Sequence, residues 1–154
     1  MQAKGEHTMT EPPRTAGDLF AESLRLLLVK DMIGYSELWA IDGVIEFPFA
    51  AANYPARLTG RAAIEDYLRS YPDLLDVQEI TERTVHQTTD PDRVIAEFEA
   101  AGVVVATGRP YRMRYVAVLT ACDGEIASYR DYWSPLAGAE ILGGLDEFTA
   151  AFTV

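Results

Sequence analysis

Between Thr15 and about Lys30 the apolar positions Leu19, Phe20, Leu24, Leu27 and Leu28 recur at spacings of three and four, the repeat of a helix that buries one face. That segment is expected to end near Gly34. A second short helix is predicted over Tyr35 to Ala40, carrying Leu38 and Trp39, before Asp42-Gly43 turns the chain into a strand over Val44 to Phe47. Pro48 has no backbone donor, so this strand is expected to be short or to lie at a sheet edge. After a loop from Ala50 to Ala56, Thr59-Gly60 leads into a third helix, Arg61 to Tyr71, with Ile64, Tyr67 and Leu68 on one face.

The period then drops to two. Three strands are predicted between Asp76 and Val118, separated by Thr89-Asp-Pro-Asp92 and by Gly102 to Pro110. A last strand, Glu125 to Ser134, follows the turn Cys122-Asp123-Gly124 and completes a four-stranded antiparallel meander. Helices first and strands afterwards predict an α+β fold, in which a bent, curved antiparallel sheet wraps around N-terminal helices. A short helix is expected after Pro135, and the tail Leu145 to Val154, with Phe148 and Phe152, is expected to pack. Residues 1–13 read as a flexible N-terminal tail or an over-long start before Met9, and residues 14–154 as a single domain.

A chain of 154 residues can bury a core without disulfide or metal staples. Its net charge of −11 repels phosphate backbones and anionic lipid, so neither nucleic acid nor a membrane surface is an expected partner. There is no apolar run long enough to span a bilayer. The single cysteine, Cys122, cannot form an internal disulfide and suits a reducing cytoplasm, and no cation nearby marks it as a nucleophile. His7 and His86 form no metal-ligand pattern, and Gly143-Gly144 lacks the strand-turn-helix context of a phosphate loop. No metal and no cofactor is expected.

Candidate chemistry sits on the last strand. Alternation places Tyr129, Asp131 and Trp133 on one face and Ser128, Arg130 and Tyr132 on the other. A carboxylate between aromatics on the concave side loses hydration, which raises its pKa toward that of a useful acid or base. The plain alternative for Asp131 is a surface salt bridge to Arg112, Arg114 or Arg130. Against it, Arg130 is adjacent in sequence and points the other way, and a buried guanidinium is hard to accommodate. Glu97 and Glu99 are expected on the convex face beside Arg112 and Arg114, because Val94, Ala96 and Phe98 take the interior positions. Tyr111, Met113, Tyr115, Ala117 and Leu119 are expected inside, where a buried phenol needs a partner.

The run Asp42-Gly-Val-Ile-Glu-Phe-Pro-Phe49, the helix opening Leu58-Thr-Gly-Arg-Ala-Ala-Ile64, and Asp123-Gly-Glu-Ile126 running into Arg130-Asp-Tyr-Trp-Ser-Pro135 together resemble the nuclear transport factor 2-like superfamily. The resemblance covers about Thr15 to Leu142 and is strongest to the SnoaL-like polyketide cyclases and the phenazine-biosynthesis A/B-type proteins. The latter share Thr89-Asp-Pro-Asp92, Glu99-Ala-Ala-Gly102 and Gly108-Arg-Pro-Tyr111. The resemblance implies a cone-shaped barrel, a fold that hosts many reactions, so function rests on the site. Ketosteroid isomerases carry a base Asp before the proline where this chain has Phe47, and their oxyanion-binding groups fall on Ser23 and on Ala117 or Val116. Limonene epoxide hydrolases match at Asp131, but their partner Arg and second Asp fall on Phe98 and Ala100. Phenazine-type proteins place Glu at Asp131 and His at Tyr67, and SnoaL-like cyclases use an acid on this strand. Asp131 alone survives each comparison.

The expected catalytic set is therefore Asp131 with Tyr67 and Tyr115. Ser23, Trp39, Phe47, Phe49, Tyr54, Phe98, Tyr129 and Trp133 are expected to bind substrate, beside Leu24 and Leu27. One reading is a cofactor-independent enzyme acting on a small, largely apolar, carbonyl-bearing aromatic or polycyclic molecule by cyclisation, isomerisation or dehydration. The other is a non-catalytic small-molecule-binding protein of the same fold. Ile95, Val116 and Val118 on the convex face suggest an isologous homodimer surface.

Overall fold

Thr15 starts the first helix by a reciprocal cap: its hydroxyl accepts from the Asp18 N–H at 3.1 Å, and the Asp18 carboxylate accepts from the Thr15 N–H at 3.0 Å. In the computed structural model, which describes residues 11–52, 54–141, 143 and 150, this helix is α1, Ala16–Leu28. It buries Leu19, Phe20, Ser23 and Leu24. Asp31 then caps α2, Met32–Glu37, by accepting from the Gly34 N–H at 2.8 Å. The second helix thus lies earlier than the spacing predicts, and Trp39 opens a strand, β1 (Trp39–Glu46). The reason is non-local: the Ile126 N–H donates to the Leu38 carbonyl at 2.8 Å, starting a parallel pairing with the chain's last strand.

β1 is not an edge strand. A three-residue strand, β2 (Arg57–Thr59), pairs antiparallel on one side of it, and Pro48 falls just beyond its end, where no ladder bond is lost. The expected third helix divides at Ser70 into α3 (Arg61–Arg69) and α4 (Tyr71–Leu74), with Pro72 in the first turn of α4, where proline's missing N–H is harmless. The meander follows as β3 (Leu75–Gln87), β4 (Arg93–Val104), β5 (Pro110–Cys122) and β6 (Glu125–Tyr132), and α5 (Pro135–Ile141) comes after it. The sheet order is β2-β1-β6-β5-β4-β3, so the four-stranded meander is extended to six strands by a parallel β1–β6 ladder. The sheet is curved and unclosed, with register shifts in β3 between Val77 and Glu79 and between Ile80 and Glu82.

Alternation sorts the two faces as the sequence predicts. Val94, Ala96, Phe98, Ala100, Met113, Ala117 and Leu119 are buried against the helices. On the convex face Glu99 pairs with Arg112 at 2.9 Å and Arg114 at 3.3 Å, Arg114 also reaches Glu82 at 2.9 Å, and His86 bonds Glu97 at 2.7 Å. The pairs exposed on both sides, Arg114 with Glu82 and His86 with Glu97, each contribute little stability. Helix and sheet are fastened to one another as well. Arg61, opening α3, donates to the Trp39 carbonyl and to the Glu125 carboxylate at 2.8 Å, tying one helix to β1 and β6 at once. Gly102 lies inside β4 rather than in the expected loop; a Cβ there would stand 1.9 Å from the Asp76 carbonyl oxygen, so the close approach of β3 and β4 requires glycine. The expected packing of Phe148 and Phe152, and a flexible state of residues 1–10, lie outside the described residues. No described helix is long and apolar enough to cross a membrane.

Candidate active site around Asp131

β6 carries Asp131 into the space between the sheet and the helices, opposite Ala117 of β5. Because the facing residue is an alanine, the carboxyl looks into open volume. Two adjoining cavities meet there. Tyr67, Tyr71, Tyr115 and Asp131 border both. The Oδ1 atom of Asp131 is buried and has no hydrogen-bond partner. Among the described residues lining the two spaces, no Lys, Arg or His supplies a counter-charge.

Desolvation alone therefore governs this acid, and burial pushes its pKa from 3.8 to about 7. Around it stand the phenols of Tyr35, Tyr54, Tyr67, Tyr71, Tyr115 and Tyr129. Burial holds each of them above the usual phenol range, and the Asp131 charge pushes each further in the same direction. They stay protonated and remain donors. The Tyr54 and Tyr67 hydroxyls are hydrogen-bonded to one another, and the Tyr71 phenol lies near that of Tyr115, as Tyr35 does near Ser23. Ring packing fixes their planes, with Tyr115 stacked on Phe98 at 5.0 Å, Phe47 against Tyr67 at 5.3 Å and Tyr54 against Trp133 at 5.4 Å. The described residues hold no cluster of three or more His, Cys, Asp or Glu side chains able to bind a metal ion.

A family model for the SnoaL-like domain matches residues 20–129. The chain belongs to the SnoaL-like domain family. The uncharacterised protein YesE of Bacillus subtilis (strain 168) is 45% identical over 118 residues, which are 77% of this SnoaL-like chain and 80% of YesE. The PhzA/B-like protein PA3332 of Pseudomonas aeruginosa is 38% identical over 131 residues, 85% of this chain and 92% of that one. The crystal structure of a Bacillus subtilis protein provisionally called an isomerase matches with a TM-score of 0.81 at 42% identity, covering 84% of this chain and 93% of the other. A Pseudomonas putida protein provisionally called a polyketide cyclase, at 20% identity and a TM-score of 0.71 over 82% of this chain and 97% of its own, shares the fold. The fold is that of the nuclear transport factor 2-like superfamily.

Most of the side chains singled out from the SnoaL-like sequence converge here. Tyr67, Tyr115, Tyr54, Tyr129, Trp133, Phe47, Phe98, Leu24 and Leu27 border one space or both. Phe49 does not: it is 59% exposed and packs edge-on against Tyr132, because the chain turns outward after Pro48. Trp39 is fully buried behind Tyr129, with ring centres 5.8 Å apart, and fills the core rather than a wall. Ser23 is likewise buried; its hydroxyl donates to the Phe20 carbonyl at 2.7 Å, and it lines neither space. Tyr35 and Tyr71 were missed. Tyr71 follows Tyr67 by one helical turn, a spacing that puts both on one face, and Tyr35 precedes the buried Leu38 by three.

The raised pKa of Asp131 has a consequence for stability. Between 3.8 and about 7 the folded protein holds a proton that the unfolded chain has lost. Stability therefore falls as pH rises through that window, by at most about 4 kcal/mol. Asp18, Glu22, Asp76 and Glu99, whose pKa values are lowered, act in the opposite sense but only below the ordinary carboxylate range. Urea unfolding at pH 5 and pH 8 separates the effects: the wild type should lose stability between them, whereas Asp131→Asn should lose far less and be the more stable protein at pH 8. Equal pH dependence in the two proteins would contradict the assignment.

Proposed function

We propose that the protein binds a small, largely apolar, carbonyl-bearing aromatic or polycyclic molecule around Asp131 and moves a proton on it without a cofactor. The observation that carries this reading is the buried, unpartnered Oδ1 of Asp131 facing a cavity lined by phenols and apolar side chains. With a pKa of about 7 the carboxyl is divided between acid and base near neutrality. As a carboxylate it takes a proton from the carbon beside the carbonyl; the electron pair moves onto the carbonyl oxygen, where a protonated Tyr67, Tyr71 or Tyr115 hydroxyl stabilises the charge. Return of the proton at a different carbon is an isomerisation. Attack of the enolate carbon on a second carbonyl in the same molecule, whose π bond opens to an oxygen that takes the proton from Asp131, is a cyclisation, and loss of a β-hydroxyl as water, protonated by Asp131, is a dehydration. The provisional names of the Bacillus subtilis isomerase and the Pseudomonas putida polyketide cyclase are consistent with such chemistry.

The second reading is binding without turnover. It draws support from the absence of a second charged group among the described lining residues, which leaves Asp131 to work alone. In either case the assembly belonging to this reading is a homodimer through the convex face, where Val116 is 36% exposed between charged neighbours; a light-scattering mass of 17.0 kDa alone would exclude it.

Exchange of α-protons of aryl ketones in D₂O, followed by NMR, distinguishes the two readings. Wild-type exchange should rise with pH to a plateau with a midpoint near 7, since the base form is the active one. Asp131→Asn should lower it by about 10² or more while leaving ketone affinity within severalfold. Tight binding with no exchange by the wild type would establish the binding protein instead.

A further inference from the structure

The polarity of the cavity is concentrated in its middle. Tyr67, Tyr71, Tyr115 and Asp131 face both spaces, whereas beyond them the smaller space is closed by Leu75, Met113, Trp133 and Ile141. The larger runs on to Leu24, Leu27, Ile45, Phe47 and Phe98. The outlying hydroxyl of Tyr54 is occupied by Tyr67, Tyr35 lies beside Ser23, and Tyr129 adds one phenol to the larger space. A ligand lodged in one space alone would leave apolar surface of the other uncovered. One that spans both buries apolar groups at its two ends and meets the carboxyl and most of the phenols at its centre.

We propose that the two spaces are the arms of one bent site, and that its ligand carries an apolar group on each side of a central oxygen, which sits at the waist formed by Tyr67, Tyr71, Tyr115 and Asp131. This rests on the reading of Asp131 as the centre of the site and narrows its substrate class to carbonyl compounds flanked on both sides. The Tyr71 and Tyr115 phenols, which border both spaces, give the waist its selectivity. The Tyr115 ring is fixed by its stacking on Phe98, so an oxygen arriving between the arms meets a donor already positioned. An apolar link of the same length leaves both phenols unused. Tyr71, at the start of α4 beside Pro72, is held by the short helix rather than by the sheet, and it sets how closely the ligand's centre approaches Asp131.

The test compares three probes by quenching of tryptophan fluorescence: 1,3-diphenylpropan-2-one, with two arms and a central carbonyl; phenylacetone, with one arm; and 1,3-diphenylpropane, with two arms and no oxygen. The two-armed ketone should bind at least about tenfold more tightly than phenylacetone, the return expected for burying a second ring. Filling the larger arm with Ala100→Phe and the smaller with Met113→Trp should each weaken the two-armed ketone about tenfold, while no more than one of them weakens phenylacetone. Tyr71→Phe, which keeps the ring and the packing, should cost the ketone about tenfold and leave the hydrocarbon unchanged. The proposal is overturned if one-armed and two-armed ketones bind alike, or if Tyr71→Phe affects ketone and hydrocarbon equally. The same two-armed ketone has exchangeable α-protons, so the two levels of the account separate. The binding pattern without exchange removes proton transfer and keeps the bent site; exchange without a two-arm preference does the reverse.

Discussion

β6 is hydrogen-bonded along both edges, in parallel to β1 and antiparallel to β5, and that double ladder is what holds a carboxyl group inside this protein. Tyr129 is paired with Ile45 on one side and Leu119 on the other, and Asp131 lies opposite Ala117. A slip of one residue would turn Tyr129, Asp131 and Trp133 to the convex face and relieve the acid of its desolvation. Such a slip must break two ladders and empty the aromatic core. The burial of Asp131 is therefore imposed by the pairing around it, and its raised pKa is the local result.

The sheet also separates charge. Arg112 and Arg114, cationic side chains on the strand next to β6, are held on the convex face by Glu82 and Glu99. None reaches the carboxyl. On the concave face the only other ionisable groups among the described cavity-lining residues are phenols that stay neutral. An acid with no counter-charge keeps its proton up to neutral pH yet releases it readily there, and neutral phenols donate hydrogen bonds without competing for the negative charge. Apolar packing and a single polar waist thus combine without any metal-like cluster of ligands among the described residues.

Much of this was legible in the chain because it follows from period two. Alternation alone put Asp131, Phe98 and Tyr115 inside and Glu99 outside beside its arginines. The failures have a common origin in pairings remote in sequence. Trp39 sits in a local pattern that fits a helix, and only the hydrogen bond from Ile126 to the Leu38 carbonyl makes it the start of a strand. Phe49 resembles an inward position of that strand, but the ladder has ended before Pro48 and its ring rests on Tyr132 outside. Tyr71 shares a helical face with Tyr67, yet the helix breaks between them at Ser70, so its place at the waist depends on how α4 meets β3.

The central claim is that Asp131 is a desolvated, unpartnered acid. It is tested most directly by following the carboxyl carbon of ¹³C-labelled aspartate through a pH titration, with Asp131→Asn identifying the resonance. The account requires a midpoint of about 7 for this carboxyl. A midpoint near the ordinary 3.8 would show that water or a cation reaches Asp131, and the proposed chemistry would fall with it.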